Sequence, residues 1–407
     1  MRRVVVTGMG FLSPLGDDIL TLKENIIQKK SGVKFIESWN QDMDEMATLI
    51  AAPVAEQNFK DIPRKYRRSM GRVAQMAARS MQTAINDSGL NDIQVQNPRT
   101  GISFGSTMGA NETLLEWIGS VYANKNFKGQ NSMAFLKSMS HTISANLAAM
   151  FEITGRSIPT CSACAASSQA IGVGYESVKY GMSDIMFVGG AEGLHYLTNG
   201  IFEVISATST EYGDTPSLTP RPFDANRDGL IIGEGAGTLV LEEYEHAKKR
   251  GAKIYAEIKS YATTCDGGHL TTPTREGMSS AMRLALDEAN LSADKIGYIN
   301  AHATSTKKGD IEESHAVHSL FGNKTPTSST KGYMGHLLGG CGVIESIISM
   351  MALNENLMPA NKNLDKVDSE CADLDYIFEH RSDSIEYVMS NNFAFGGINT
   401  SLIFSKV

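Results

Sequence analysis

The run Ser157-Ile158-Pro159-Thr160-Cys161-Ser162-Ala163-Cys164-Ala165-Ala166-Ser167-Ser168 feeds a β segment into a thiol and then into a helical pattern reaching about Tyr180. A strand, Ile185-Met186-Phe187-Val188, follows it. Further on, Pro326-Thr327-Ser328-Ser329 leads to His336 and a helix through Ile344 to about Leu353. Each unit is preceded by an amphipathic helix and a β run. Residues 76–90 (MAARSMQTAINDSGL) lead to Gly101-Ile102-Ser103-Phe104-Gly105-Ser106, and residues 278–291 (MSSAMRLALDEANL) lead to Ile296-Gly297-Tyr298-Ile299-Asn300. Alternation of short strands with helices predicts an α/β class. Its recurrence predicts a duplicated unit with a pseudo-two-fold axis, placing Cys164 and His336 at the N-termini of equivalent helices.

Bulk properties bound the function. The chain has 407 residues, 42% hydrophobic and 20% charged, an ordinary globular composition. A net charge of −8 argues against a general nucleic-acid binder. The five cysteines, Cys161, Cys164, Cys265, Cys341 and Cys371, are sparse and odd in number, which points to a reducing, cytoplasmic setting. Met1-Arg2-Arg3 precedes only a short strand, Val4-Val5-Val6-Thr7-Gly8, too short for a signal-peptide core. No apolar stretch approaches a membrane span, so no membrane association is expected.

Cys164 can be read in two ways. Small neighbours leave room for a substrate, and a helix start favours thiolate; a small buried cysteine is the plainer alternative. Cys161 and Cys164 also form C-x-x-C, without the second Cys/His pair that zinc needs. The second half supplies possible partners. Asn300-Ala301-His302-Ala303-Thr304-Ser305-Thr306 places a histidine after a β run, and Gly309-Asp310-Ile311-Glu312-Glu313 follows. Then come Ser329-Thr330-Lys331-Gly332-Tyr333-Met334-Gly335-His336 and the closing Ser390-Asn391-Asn392-Phe393-Ala394-Phe395-Gly396-Gly397-Ile398-Asn399. Active sites of α/β folds gather at such strand ends. Taken singly, His302 and His336 read as structural histidines, Lys331 as a surface charge, Glu313 as a helix-start carboxylate and Phe395 as core. Together, a thiol and two neutral histidines suit acyl transfer: the thiol holds an acyl group, and two N–H donors bind a second thioester as it becomes an enolate.

The joint pattern closely resembles the β-ketoacyl-acyl-carrier-protein synthases of the thiolase superfamily, the elongating type I and II enzymes, nearest to type II. The resemblance runs through VVVTGMGFLSPLG (4–16), SACAASSQAIG (162–172), the long run from Arg221 to Ile258, NAHATSTKKGD (300–310), SSTKGYMGHLLGG (328–340) and SNNFAFGGINTSLIF (390–404). It implies a thiolase-like α/β/α/β/α fold with two pseudo-two-fold related halves, residues 1–250 carrying the nucleophilic cysteine and 251–407 both histidines. It implies that Cys164 accepts the acyl chain and that His302 and His336 serve malonyl decarboxylation and condensation. Lys331 and Glu313 match the charged residues that order the site, and Phe395 matches a gating residue whose N–H joins that of Cys164 in an oxyanion hole. Thr304 and Thr306 match hydroxyls holding the pantetheine arm.

Thr107, Met108 and Phe202 align with the acyl pocket, and Asp266 and His269 in CDGGHLTTP (265–273) have type II character. Arg64, Lys65, Arg67, Arg68 and Arg72 form a basic run on a predicted helix, read as a docking patch for the acidic carrier protein. Asn300, Glu345, Ser390 and Asn391 match a cation-like structural site of some relatives; the chemistry itself calls for no metal and no cofactor beyond the carrier's phosphopantetheine. The implied partners are acyl- and malonyl-loaded carrier protein and a second copy of the chain as a homodimer, with a heterodimer alongside a related chain as the alternative. Ala303, Met334, Asn392, Ala394 and Ile398 depart from the usual Gly, Thr, Ser, Gly and Thr. These changes favour a specialised enzyme, so a ketosynthase of a polyketide or aryl-polyene pathway stands beside fatty-acid elongation. A non-catalytic chain-length partner is disfavoured by Cys164.

Overall fold

The computed structural model describes residues 1–407. Ten strands form one sheet: β1 (Val4–Leu12), β2 (Thr100–Gly105), β3 (Ile185–Glu192), β4 (Gly235–Glu243), β5 (Ala256–Cys265), β6 (Ile296–Asn300), β7 (Pro326–Ser328), β8 (Asp375–Tyr376), β9 (Tyr387–Ala394) and β10 (Ile398–Ser405). Their spatial order is β8-β7-β6-β9-β10-β5-β1-β4-β3-β2. The seam is the antiparallel pair β1–β5, where Val4 faces Ile258 and Val6 faces Ala256.

The duplication is explicit in the pairing. Outward from the seam, β1 meets β4 and β4 meets β3 antiparallel, β3 meets β2 parallel, and residues 157–160 bridge β2 in parallel through Ile102↔Ser157 and Gly105↔Thr160. On the other side β5 meets β10 and β10 meets β9 antiparallel, while β9–β6 and β6–β7 are parallel. Each half therefore orders its strands alike, first, fifth, fourth, second, third. The only addition is the two-residue β8 on the outer edge.

Helices complete the layers. Helix α1 (Arg72–Ser88) packs on β1 and β4, α3 (Tyr196–Val204) follows β3, and α4 (Arg275–Ala289) packs on β5 and β10. The pair α2 (Ala166–Lys179) and α6 (Cys341–Glu355) lies between the halves, each touching strands of both and each other. A helix covered on every side must be apolar all round, and α6 complies: every residue from Cys341 to Leu353 is buried. The largest core cluster joins Val4, Ile171, Tyr175, Ile344, Ile347, Leu402 and Phe404 across the seam.

Two sequence expectations shift. The outer helices begin three or four residues earlier than the apolar pattern suggested, at Arg72 and Arg275; the added turn of α4 faces outward, while that of α1 already buries Val73 and Ala74. The two central helices are equivalent, but Cys164 and His336 are not matching positions. Cys164 lies inside the 3-10 turn Ala163–Ala165 that opens α2, whereas His336 precedes the corresponding turn Leu338–Gly340 before α6. No helix is long and apolar enough to cross a membrane.

Candidate active site

Three chain segments aim reactive groups at one point. Ala163 takes φ +46, turning Cys164 inward at the start of α2. His302 follows the end of β6. His336 is pinned by its backbone: its N–H donates to Ile231 O at 2.7 Å and its carbonyl accepts from Gly233 N at 2.8 Å. Gly335, at φ +69, permits this approach, since a Cβ there would sit 2.8 Å from Ile231 O.

Cys164 Sγ and one nitrogen each of His302 and His336 lie within 4.8 Å of one another, all buried. The imidazoles meet edge to face with centroids 5.2 Å apart, and Phe393 flanks His302 at 6.2 Å. A cavity of about 490 Å³ leads down to them. The backbone N–H groups of Cys164 and Phe395 pull the Cys164 thiol down, as smaller effects than burial.

The electrostatics favour neutral groups. Burial pushes the Cys164 thiol up to about 12, against an opposing pull from Lys331. The helix start therefore does not produce a resting thiolate, contrary to the sequence expectation, because desolvation of a buried sulfur outweighs a partial charge. Burial, reinforced by the Lys331 ammonium, holds both imidazoles well below 6.5. Both nitrogens of His336 are buried without a protein partner, as expected of a ring reserved for a ligand.

Around this centre lies a shell of buried ionisable groups. Glu313, within α5 (Lys307–Phe321), accepts the backbone N–H groups of His302 at 2.7 Å and Ala303 at 2.6 Å. It sits mid-helix, not at a helix start. Burial pushes its carboxyl up to about 8, while those two donors pull it back. Lys331 does not line the cavity; it is buried beneath it, paired with Glu345 of α6. Glu345 also accepts from Asn392 Nδ2 at 2.6 Å.

The loop after β9 carries Phe395, whose ring lies 6.1 Å from Phe202. Gly396 N donates to Leu270 O at 2.7 Å, and Asp266 N donates to Gly397 O at 2.8 Å. Asp266 also accepts from Asn399 Nδ2 at 2.7 Å and Thr274 N at 3.2 Å. Asp266 thus clamps the Phe395 loop to residues 266–274 and is no part of the cavity wall; His269 is exposed beside it. Ala394 ends a strand with ordinary backbone angles, and the left-handed turns fall on Gly396 and Gly397.

Other candidates separate in the same way. Thr304, Thr306 and Phe202 line the cavity, with Thr304 Oγ1 3.1 Å from Thr306 Oγ1. Thr107 and Met108 do not; their backbone N–H groups donate to buried Glu192 at 2.7 and 3.1 Å, which fixes that turn away from the cavity.

The basic run is not one helix. Arg64, Lys65 and Arg68 are exposed around the single turn Arg64–Arg67, while Arg67 donates to Phe59 O at 3.1 Å. Arg72 opens α1 and is held by buried Glu234 through bonds of 2.8 and 2.6 Å, so it is not free for a partner. All five cysteines are free.

For the cation-like site, Asn300 faces Ser390 across β6 and β9. Both amide atoms of Asn300 and Ser390 Oγ are buried without partners, but Asn391 lies on the opposite face of β9 with its amide towards Met282, and Glu345 is spent on Lys331 and Asn392, so the four residues do not form one donor set. Sequence reasoning missed Lys307 and Lys308, which line the cavity mouth, and the bridging role of Asn392. The only signal for Asn392 was its departure from the family pattern.

Family models for the beta-ketoacyl synthase N-terminal domain and C-terminal domain match residues 1–247 and 255–365. This chain is a member of the β-ketoacyl synthase family. The ketosynthase is 36% identical to the 3-oxoacyl-[acyl-carrier-protein] synthase 1 of Haemophilus influenzae, over 100% of this chain and 99% of that protein. It is 35% identical to the Escherichia coli K12 protein of the same name over the full length of both. Among solved structures, a beta-ketoacyl synthase from Burkholderia phymatum STM815 matches this ketosynthase with TM-score 0.97 and 44% identity over 100% of both chains. The ketosynthase of AntDE:AntF, a type II polyketide synthase complex with its acyl-carrier protein, matches with TM-score 0.89 and 30% identity, covering 100% of this chain and 99% of that one. The fold is thus the thiolase-like duplicated architecture of these enzymes.

Proposed function

We propose that this chain condenses an acyl group held on Cys164 with malonyl-carrier protein in fatty-acid chain elongation. The observation that carries this reading is the convergence of the Cys164 thiol with two neutral imidazoles at the floor of one cavity. In the first half-reaction Cys164 Sγ attacks the acyl thioester, its proton passes to an adjacent neutral imidazole, and the carrier thiol leaves. In the second, His302 and His336 donate hydrogen bonds to the malonyl thioester carbonyl. The bond to the carboxylate breaks, CO₂ leaves, and its electron pair forms the enolate. The enolate carbon attacks the acyl-cysteine. Charge on that oxygen is met by the N–H groups of Cys164 and Phe395, and collapse expels the thiolate, which regains a proton. Glu313 holds the His302 backbone, and the Phe395 loop covers the thioester.

The carrier's arm enters past Thr304 and Thr306, with Lys307 and Lys308 at the mouth offering charge to its phosphate. Arg64, Lys65 and Arg68 receive the acidic carrier itself. A second copy of the chain covers the edge formed by residues 157–160 and the exposed apolar side chains Leu115, Ile118, Tyr122, Ile201 and Val204 of the same half, giving a homodimer.

The test is to mix the protein with acyl- and malonyl-loaded carrier proteins and follow CO₂ and product mass. Cys164→Ala abolishes condensation, and a mutant that still condenses overturns the mechanism. The same chemistry on a polyketide chain is the second reading, supported by the 30% identity to the AntDE ketosynthase; a polyketide product mass would select it.

A further inference from the structure

Asn392 stands on β9, 1% exposed, where three elements of the site meet. Its Oδ1 accepts the Ser168 hydroxyl of α2, the helix that carries the nucleophile. Its Nδ2 donates to Glu345 Oε2 at 2.6 Å. The same nitrogen lies 3.5 Å from His302 Nδ1 and 3.5 Å from Cys341 Sγ, while the Cys341 thiol donates to Cys164 O at 3.1 Å. The direction of these bonds is fixed by charge. Glu345, paired with Lys331, is an acceptor only. A flipped amide would set Oδ1 against that carboxylate, so the NH₂ group must face Glu345 and therefore also His302. One of its two hydrogens goes to Glu345. The other is left for His302 Nδ1 and the Cys341 sulfur.

We propose that Asn392 is a positioning residue that fixes the tautomer of His302, keeping Nδ1 bare as an acceptor and the ring proton on Nε2, the nitrogen turned to the cavity. An Nδ1–H would point hydrogen at hydrogen. The 3.5 Å contact is at the outer limit of a hydrogen bond, but the tautomer is selected by which sign of dipole faces the ring. His302 then always presents a donor to the thioester carbonyl. The inference rests on the ketosynthase reading only for its kinetic consequence; the tautomer itself is a property of the resting protein.

Three measurements on the full chain test it. In protein carrying ¹⁵N-labelled histidine, with the His302 signals assigned through His302→Gln, the wild type shows a single Nε2–H tautomer, and Asn392→Ser shows a mixture. CO₂ release from malonyl-carrier protein falls about 10-fold to 100-fold in kcat for Asn392→Ser, the range for removing a partner that orients a functional imidazole. Its KM for malonyl-carrier protein and the rate of Cys164 acylation, read by mass shift, stay within about two-fold. Asn392→Asp turns an acceptor towards the ring, moves the proton to Nδ1 and lowers CO₂ release further than Asn392→Ser does. A wild-type His302 in the Nδ1–H form, or a tautomer unchanged in both variants, overturns the proposal. Equal losses in acylation and CO₂ release would mark Asn392 as a brace of the fold only. A wild type that neither acylates nor decarboxylates would sink the functional reading and leave the tautomer result to stand or fall on its own.

Discussion

At Cys164, burial decides the chemistry. The sequence placed this thiol at a helix start and so suggested a thiolate; the folded environment raises it to about 12. The raised value means that the protonated form persists through neutral pH and the thiolate appears only in strong alkali. Alkylation of Cys164 by iodoacetamide, followed by mass spectrometry, should therefore climb steadily from pH 7 to 10. A plateau at or below pH 9 would contradict the burial argument. His302 and His336 are held well below 6.5, so neither gains a proton as pH falls from 8 to 6.5. Malonyl decarboxylation should show no inflection near 6.5 in a pH–rate profile. Glu313 was legible as a charged group of the site but not as the acceptor of two backbone donors, because that role needs α5 to be laid beside the end of β6.

At the level of elements, two local devices hold the histidine side of the site. The Lys331–Glu345 pair joins the one-turn helix Lys331–Met334 to α6 inside the core. Removing one partner strands a buried charge, so Lys331→Met should lower stability by about 3–5 kcal/mol in urea denaturation. Adding Glu345→Leu should recover much of the loss; no recovery would mean that packing, not charge, is at stake. Gly335 carries the second device. With φ +69 and Ile231 O 2.8 Å from any Cβ, Gly335→Ala should cost about 1–3 kcal/mol and loosen the His336 backbone. Strand and helix identities were readable from periodicity because apolar spacing differs between them. The basic run illustrates the limit. Its charges were visible, but Arg72 is taken by Glu234, which is 162 residues away in sequence, and no local pattern announces such a pair.

For the whole molecule, the duplicated sheet brings the cysteine of one half to the histidines of the other, and the carrier face and dimer edge proposed above are each open to a separate test. Charge reversal at Arg64 and Lys65 should raise KM for carrier protein about 10-fold with kcat preserved, and added salt should shrink the difference. An unchanged KM would move the docking site elsewhere. Native mass spectrometry should give a dimer of one chain; a monomer would refute that assembly. The sequence by itself determined the duplication and the family, and singled out one thiol and two histidines as the candidate site, because these are written as contiguous motifs whose spacing survives without tertiary information. Only the tertiary structure decided which charges face the cavity and which lie beneath it, why the thiol stays protonated, that Thr107 and Met108 turn to Glu192, and that Asn392 links α2, Glu345 and His302. Those depend on groups from separate elements being desolvated together, and the strength and even the sign of their effects follow from burial that no single segment records.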